Sequence, residues 1–378
     1  MKLTTAGESH GKALVAIIEG LPAHLPVTTD KINAALSLRQ SGFGRGGRQK
    51  IEKDCAEILT GVRNGETLGS PVTLCIYNKD FVNWEKAMSA EHCDKTTMQD
   101  KALTKVRPGH ADLAGMLKYE QEDARNILER ASARETAIRV AAGEIYRGSL
   151  QELGVEVSGF VREICGVKDE KVYPFTALSN AKSSQVGMLD KALEEKAVEK
   201  ITTLREAGDT AGGVVEIRVK GLKSGFGSMM TYAQKLDARL AQGLMSIQAV
   251  KGVEVGAGFA AASMSGKDVH DEIAFVDGKF VRKTNRAGGI EGGTSNGEEI
   301  VLRVAMKPIP TLMKGLKTVD FVTKEERTAA SERSDVCAIF ALEIIAESVV
   351  CQVLADAVAE RLGGDTMAQV KARYDLLP

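Results

Sequence analysis

The first apolar stretch of the chain predicts a strand that leads into a helix. Residues 12–19 are rich in β-branched side chains and end at a Gly-Leu-Pro turn, which is typical of a strand. Residues 28–30 then supply hydroxyl and carboxylate groups suited to a helix N-terminus. We expect this helix to run to about Arg39, with Ile32 and Leu36 on its buried face.

Short apolar runs separated by turn residues continue the pattern. Residues 56–62 and 71–77 flank Asn64 and Gly65, and an Asn-Gly pair accepts the positive φ values that a tight hairpin needs. The sequence therefore predicts a β-hairpin here. The polar residues 79–101 that follow favour an excursion over the surface.

Longer segments have helical spacing. Residues 123–153 contain many alanines and no proline, and they predict one long helix that ends at Gly154. Residues 188–205 predict a second helix, and the largely apolar residues 336–353 predict a third. Residues 213–219 predict a strand.

The order of strand and helix occurs twice. Residues 12–39 run strand, Gly-Leu, helix, and residues 213–245 run strand, Gly-Leu, glycine-rich loop, helix. Two related strand–helix halves would pack as one large sandwich, although coincidence explains so common a pattern equally well. No obvious linker divides the chain, so we expect a single domain over residues 1–378.

Composition excludes several classes of protein. A chain of 378 residues with a net charge of −1 and 43% hydrophobic residues is not a general binder of nucleic acids or membrane surfaces. Its six cysteines never form a CxxC pair, so we expect reduced thiols and no metal site. The first residues lack the apolar core of a secretion signal, and the apolar run 13–18 is too short to span a bilayer. We therefore expect a cytoplasmic protein.

Two of the five histidines lie in short glycine-bearing segments, and these are candidates for acid–base chemistry. His10 belongs to Gly-Glu-Ser-His-Gly, and His110 belongs to Arg-Pro-Gly-His-Ala-Asp. Glycine permits close approach of a ligand, and histidine exchanges protons near neutral pH. The alternative is a pair of turn histidines whose partners are only structural.

A glycine-rich loop between these histidines is strongly basic. Residues 39–50 hold Arg39, Arg45, Arg48 and Lys50 with no acidic residue. Arginine forks bind phosphate and carboxylate through paired hydrogen bonds, so this loop predicts a small-anion site. A solvated basic loop and an RNA contact are the alternatives.

Other polar residues have two interpretations. Arg130 and Arg134 are four residues apart and would share a helix face near Ser132, but acidic neighbours such as Glu129 could make this an ordinary charged surface. Asp335 precedes the last apolar helix and could serve only as its N-cap.

Together these segments closely resemble the chorismate synthase family over essentially the whole chain. The segments that carry the resemblance are residues 7–11, 42–54, 105–119, 123–137 (DARNILERASARETA) and 333–338 (RSDVCA). The resemblance implies an α+β fold, with a single large β-α-β-α sandwich in each subunit of a homotetramer. It implies a reaction in which 5-enolpyruvylshikimate 3-phosphate loses phosphate and a C6 hydrogen by 1,4-anti elimination to give chorismate. Reduced FMN is required in that reaction, without net redox change.

The resemblance also assigns roles to residues. His10 would protonate the departing phosphate, and His110 would protonate the reduced flavin near N1 or hold it in its reactive charge state. The flavin would donate electron density and recover it, with N5 accepting the proton and Asp335 assisting; Ser9 and Ser132 would relay protons. The substrate, with one phosphate and two carboxylates, would be bound by Arg39, Arg45, Arg48, Arg107 and Arg134.

The flavin contacts implied by the resemblance carry no nucleotide-binding fingerprint. They are Arg130, Ala131, Ser132, Gln248, Ala249, Gly292, Lys307, Pro308, Ile309, Pro310, Thr311 and Arg333. Some family members reduce flavin with NADPH, and Arg39 and Arg45 lie where that nucleotide would bind. Otherwise an external flavin reductase would supply the reduced cofactor.

Three functions are therefore consistent with the sequence. The first is a lyase that uses reduced FMN, and it is our expectation. The second is an NADPH-dependent flavin oxidoreductase. The third is an anion-binding or RNA-binding scaffold built around the basic loop; we expect neither a nucleic-acid partner nor a membrane partner.

Overall fold

Two antiparallel sheets and a set of packed helices make up the molecule. The computed structural model describes residues 1–47, 52–330 and 334–378. The strands are β1 (Lys2–Ala6), β2 (Ala13–Glu19), β3 (Glu57–Thr60), β4 (Val62–Arg63), β5 (Glu66–Thr67), β6 (Val72–Tyr77), β7 (Glu156–Ile164), β8 (Val167–Lys168), β9 (Gly213–Lys220), β10 (Val250–Val255), β11 (Ile273–Val276), β12 (Lys279–Arg282), β13 (Ile290–Glu291), β14 (Thr294–Ser295), β15 (Ile300–Met306), β16 (Lys317–Val319) and β17 (Glu326–Thr328). The helices are α1 (Thr29–Gln40), α2 (Lys95–Lys101), α3 (Asp112–Tyr119), α4 (Arg125–Ala131), α5 (Thr136–Gln151), α6 (Lys191–Glu206), α7 (Leu236–Met245), α8 (Gly266–Val269), α9 (Ile339–Leu362) and α10 (Met367–Asp375).

The two main sheets have the same topology. The first sheet has the order β1-β2-β6-β3, and the second contains β7-β9-β15-β10, with β8 added beside β7. In each half the chain runs strand, strand, helix, strand, strand, helix: β1, β2, α1, β3, β6, α5 and then β7, β9, α7, β10, β15, α9. This repeat agrees with the two related strand–helix halves that the sequence predicts.

Helices fill the space between the sheets. Helix α5 packs on β2 and β6, helix α9 packs on β7 and β9, and the two helices pack against each other. The inward residues of the strands are fully buried, for example Leu14 and Ile18 of β2 and Leu302 of β15. The content is mixed helix and sheet, as predicted. The contacts place helices α5 and α9 between the two sheets.

The predicted long helix over residues 123–153 is wrong. Helix α4 ends at Ser132, whose backbone is extended with φ −63° and ψ 142°. A short 3-10 turn, Ala133–Glu135, follows before α5 begins. The Ser132 side chain accepts a hydrogen bond from the Arg134 amide at 3.2 Å, a local contact that competes with helix continuation. Arg130 and Arg134 therefore do not share a helix face.

The other predicted elements are closer to the structure. Asn64 and Gly65 have φ values of 52° and 78° in the turn between β4 and β5, and β3 pairs with β6, so the hairpin is confirmed. Helix α1 agrees with the prediction, although the Thr28 side chain makes no capping hydrogen bond. The last apolar helix, α9, extends nine residues further than predicted, to Leu362. Residues 79–101 are not simply a surface excursion, because Trp84 packs on His10.

None of the described helices combines the length and hydropathy needed to cross a membrane.

The closest approach of α5 and α9 depends on Gly143. A Cβ at this position would lie 2.3 Å from Ser348 Cβ, whereas a Cβ at Gly148 in the same helix would meet nothing nearer than Pro26 O at 3.8 Å. We expect Gly143→Ala to destabilise the protein by about 1–2 kcal/mol, because overpacking outweighs the gain in helix propensity. Gly148→Ala should be neutral or stabilising. Urea unfolding followed by circular dichroism measures both, and equal stability of the two variants would contradict the close helix contact.

Candidate active site

His10 is held by a buried carboxylate. The loop formed by residues 7–11, called here the His10 loop, leaves β1 at Gly7, where φ is +108° and a Cβ would lie 2.3 Å from Ala13 O. The Nδ1 atom of His10 is 2.8 Å from Glu129 Oε1, and the His10 amide donates to Glu129 Oε2 at 2.7 Å. Ser9 is buried, and its amide donates to the Glu129 carbonyl. Because Nδ1 is bound to Glu129, Nε2 is the ring nitrogen available for a reacting group.

His110 has an analogous partner in Asp112, which is completely buried. The Nδ1 atom of His110 is 2.5 Å from Asp112 Oδ1. The Arg107 guanidinium donates to both oxygens of the same carboxylate, from Nε at 2.8 Å and from Nη2 at 3.0 Å. Its third nitrogen donates to Thr311 Oγ1 at 3.2 Å. Arg107 therefore acts here as a partner of Asp112.

Both carboxylates are ionised at neutral pH. Burial by itself would raise the pKa of Asp112, but the hydrogen bonds from His110 and Arg107 outweigh it and hold that pKa far below its usual range. Burial likewise opposes ionisation of Glu129, and the hydrogen bonds from His10 outweigh it, so its pKa is also lowered. Each histidine thus faces a fixed negative charge that can stabilise its protonated ring.

A second region, called here the arginine cluster, consists of Arg39, Arg45 and Arg134. The Arg134 guanidinium donates to Asp54 Oδ2 at 2.6 Å and to Asn78 Oδ1 at 2.9 Å. Arg39 is buried, and it donates to Thr136 Oγ1 and to the Ala133 carbonyl.

The positive charge of Arg39 in the arginine cluster lies in an unfavourable environment. Burial, together with the neighbouring charges of Arg45 and Arg134, lowers the pKa of Arg39 to about 9. Guanidinium groups remain charged in proteins, and the carboxylates of Asp54 and Asp335 partly offset the unfavourable environment of this one. An anion bound here would relieve that repulsion.

Asp335 lies beside the cluster and is not a helix cap in this structure, because α9 begins four residues later. Its Oδ1 accepts a hydrogen bond from the Gly46 amide at 2.6 Å, and its Oδ2 is 3.3 Å from Arg45 Nε. The carboxylate thus joins the glycine-rich loop to the segment before α9.

Asn78 connects the His10 loop to the arginine cluster. Its amide nitrogen donates to the carbonyls of Glu8 and Gly11 at 3.1 and 2.7 Å, while its oxygen accepts from Arg134. Sequence reasoning missed Asn78, and it left open whether Glu129 belongs to a charged surface, whereas Glu129 is buried. Neither residue lies in a segment that looks reactive, and only the fold brings them to the site.

Comparisons with known proteins agree on one family. A family model described as chorismate synthase matches residues 1–359. The chorismate synthase of Geobacter metallireducens is 52% identical over 390 residues, covering 99% of this chain and 98% of that protein. That of Alkaliphilus metalliredigens is 50% identical over 375 residues, covering 99% and 98%. A crystal structure described as chorismate synthase is 39% identical, with a TM-score of 0.79, and covers 99% of this chain and 96% of that one.

The chain belongs to the chorismate synthase family. It is therefore an enzyme, a lyase of the shikimate pathway that acts on a small-molecule substrate.

Several of the residues that the family resemblance implies as flavin contacts lie close together in the structure. The Lys307 amide donates to the Ala249 carbonyl at 3.0 Å, and the Lys307 ammonium donates to the Gly109 carbonyl beside His110. Gln248 donates to Glu135 at 3.3 Å. The segment 307–311 thus lies between residues 248–249 and His110, and it is held further by a bond from Thr210 Oγ1 to the Ile309 carbonyl.

Arg130 is linked to this region through Thr5 and Glu135. Arg130 donates to the Gly7 carbonyl and to both oxygens of Thr5, and Thr5 Oγ1 in turn donates to Glu135. Gly292 lies in the turn between β13 and β14 and has φ +59°. Among the described residues, a Cβ at this position would have only Met229 within 4 Å. Arg48 and Arg333 lie outside the described residues.

The buried pair of Asp112 with Arg107 and His110 should control stability. We expect Asp112→Asn to cost about 3–5 kcal/mol at pH 7, because it leaves a buried cation without its partner. The native pKa of Asp112 is lowered, so its contribution is complete above the unfolded pKa of about 3.9 and is lost as pH falls further towards the native pKa. The stability difference between wild type and variant should therefore shrink below about pH 4.

Thermal unfolding over this pH range measures the difference. Asp100→Asn, an exposed substitution in α2, is the matched control and should leave stability unchanged. A difference that grows in acid would show that Asp112 is not the ionised partner.

Proposed function

We propose that this protein converts 5-enolpyruvylshikimate 3-phosphate to chorismate and phosphate by 1,4-anti elimination, using reduced FMN without net redox change. The observation that carries the proposal is the connection, through Asn78, of the His10–Glu129 pair to the buried arginine cluster. This arrangement joins a proton donor to a binding site for anions, which is what protonation of a departing phosphate needs. Membership of the family supplies the substrate.

The arginines bind the anionic groups of the substrate. We assign Arg39, Arg45 and Arg134 to direct contacts, and Arg48 is expected to join them from the basic loop. Each desolvated, charge-assisted contact contributes on the order of 1.5–3 kcal/mol. Arg107 contributes its charge from within the Asp112 pair, next to His110.

His10 assists loss of the leaving group. The C3–O bond to phosphate breaks and the C6–H bond breaks, with a new carbon–carbon double bond in the product. His10 gives a proton from Nε2 to the phosphate oxygen, while Glu129 stabilises the cationic ring through Nδ1. Ser9 directly precedes His10 in the His10 loop, and Ser132 directly follows helix α4. We assign both serines as proton relays.

The residues around Gln248 and Lys307 fit a bound flavin. Gln248 Oε1 is buried and has no hydrogen-bond partner among the described residues, so it can accept from a ligand N–H group. Burial and the nearby Lys251 charge lower the pKa of Lys307. A bound phosphate would stabilise the charged form of this side chain. With these two we assign the following residues to hold FMN: Arg130, Ala131, Ser132, Ala249, Gly292, Pro308, Ile309, Pro310, Thr311 and Arg333.

Reduced FMN, when bound, supplies electron density that assists phosphate loss and regains it as the C6 hydrogen leaves. We assign His110 to exchange a proton with the bound flavin through Nε2, since its Nδ1 is bound to Asp112. Asp335, fixed by the Gly46 amide and by Arg45, assists removal of the proton from the site.

We further propose a cytoplasmic homotetramer whose subunits are single domains over residues 1–378. The reduced flavin would come either from NADPH bound at Arg39 and Arg45 or from an external flavin reductase.

An anaerobic assay tests the reaction. Purified protein receives 5-enolpyruvylshikimate 3-phosphate and chemically reduced FMN without NADPH, and chorismate and phosphate are measured. We expect equal amounts of both products and no oxidation of the flavin. Absence of product would overturn the lyase, and a need for one NADPH per turnover would favour the oxidoreductase. Affinity for RNA with no dependence on flavin would favour the scaffold.

Substitution of the two histidines tests their roles. His10→Ala and His110→Ala should each lower kcat by about 10²–10⁴-fold, the range for loss of a general acid or base. His24→Ala is the control, because His24 is exposed and pairs with Glu66 away from the site. Titration of substrate binding completes the test. If binding is lost while bound substrate still turns over normally, the histidines are binding residues and these assignments are wrong.

A further inference from the structure

Residues 78–84 wrap around the His10 loop. Asn78 binds two carbonyls of that loop from one side. Six residues later, the Trp84 ring stacks on the His10 ring, with centroids 4.0 Å apart and planes inclined by 25°. The same short segment thus touches the loop backbone and the catalytic side chain.

Trp84 is itself held in one place. Its indole Nε1 donates to Asp80 Oδ2 at 3.2 Å, and its amide donates to the Phe81 carbonyl at 2.8 Å. Lys101 Nζ lies 4.4 Å from the centre of the indole ring, and Arg125 Cζ lies 5.0 Å from it, so two cations also contact this aromatic surface.

The 3-10 turn Lys79–Asn83 that carries Trp84 is fixed to the arginine cluster. The amides of Lys79 and Asp80 both donate to the Glu52 carboxylate, at 3.0 and 3.3 Å. Glu52 Oε2 is 3.8 Å from Arg134 Nη2. The position of the indole is therefore tied to the residues that bind the substrate anion.

Two contacts together define the orientation of His10. The bond from Nδ1 to Glu129 fixes one point of the ring, but the ring can still rotate about that bond. The stacked indole removes this rotation, since tilting the imidazole would break the face contact. The direction of Nε2 is then set.

Packing alone does not account for this tryptophan. Trp84 is half-buried, and within the described structure it belongs to none of the hydrophobic clusters. Its principal partners are an imidazole, a carboxylate and two cations.

We propose that Trp84 is a positioning residue for His10, which fixes the plane of the imidazole so that Nε2 meets the departing phosphate. This inference rests on the proposed function, because it assigns Trp84 a role in that proton transfer. A misplacement of about 1 Å in such a group can cost about 10²-fold in rate.

Steady-state kinetics with reduced FMN tests the proposal through three variants. Trp84→Leu should lower kcat about 10–100-fold while changing the KM for the substrate less than about threefold, because the arginine cluster is intact. Trp84→Phe keeps an aromatic face and should recover most of kcat. Val82→Ala, at a largely exposed position of the same turn, is the control and should match wild type.

Each kinetic outcome is decisive. Unchanged kcat in Trp84→Leu, or no recovery in Trp84→Phe, overturns the positioning role while wild-type turnover keeps the proposed function intact. No turnover by wild type overturns both. If Trp84→Leu does not fold, Asp80→Ala, which frees the indole, should lower kcat in the same way, and normal kcat in that variant overturns the role.

Fluorescence tests the contact without activity. The chain has one tryptophan, so indole emission comes from Trp84, and a stacked imidazole quenches it. We expect His10→Gln to raise the emission intensity. His92→Gln, an exposed histidine in the following segment, is the control and should leave it unchanged. Equal emission from wild type and His10→Gln would overturn the stacked arrangement.

Discussion

The site depends on the interruption between α4 and α5 at Ser132. In a continuous helix each residue would advance about 1.5 Å and rotate by a fixed angle, so residues 129–136 would point all around one cylinder. The extended backbone at Ser132 releases the chain from that geometry. Glu129 then turns to His10, Arg134 turns to Asn78 and Asp54, and Thr136 accepts from Arg39. One break in one helix thus supplies partners to three parts of the site.

Buried charge is the second constraint on this region. Histidines, arginines and carboxylates meet where water is largely excluded, and each charge must be paired or it is costly to keep. Asp112 and Glu129 meet this requirement by accepting several hydrogen bonds each. In the arginine cluster, Asp54 pairs with Arg39 and Arg134, and Asp335 pairs with Arg45. The stability of the protein and the proposed binding site for an anionic substrate therefore depend on the same charges.

The repeated topology explains why such a site can form between two halves. Each half covers its helices with an antiparallel sheet, and helices α5 and α9 meet along the centre. Glu135, in the turn between α4 and α5 of the first half, accepts a hydrogen bond from Gln248, just before β10 of the second half. Neither half alone contains the full set of proposed flavin contacts.

The sequence by itself determined the local elements and the chemical character of the site. Short apolar segments predicted β2 and β9, Asn64 and Gly65 predicted the hairpin, and the glycine-bearing segments marked His10 and His110. These signals are local, since they depend on backbone preference and on side chains close in sequence. The family resemblance carried the assignment further than any spacing could.

Only the tertiary structure decided which side chains act together. The alanine-rich sequence predicted a continuous helix through Ser132, because helix propensity does not include the capping contact that competes with the helix there. Glu129 and Trp84 read as ordinary surface residues in sequence, yet they hold the two sides of His10. Their partners lie 119 and 74 positions away along the chain, and contacts at such separations are fixed by how sheets and helices pack, which local pattern does not encode.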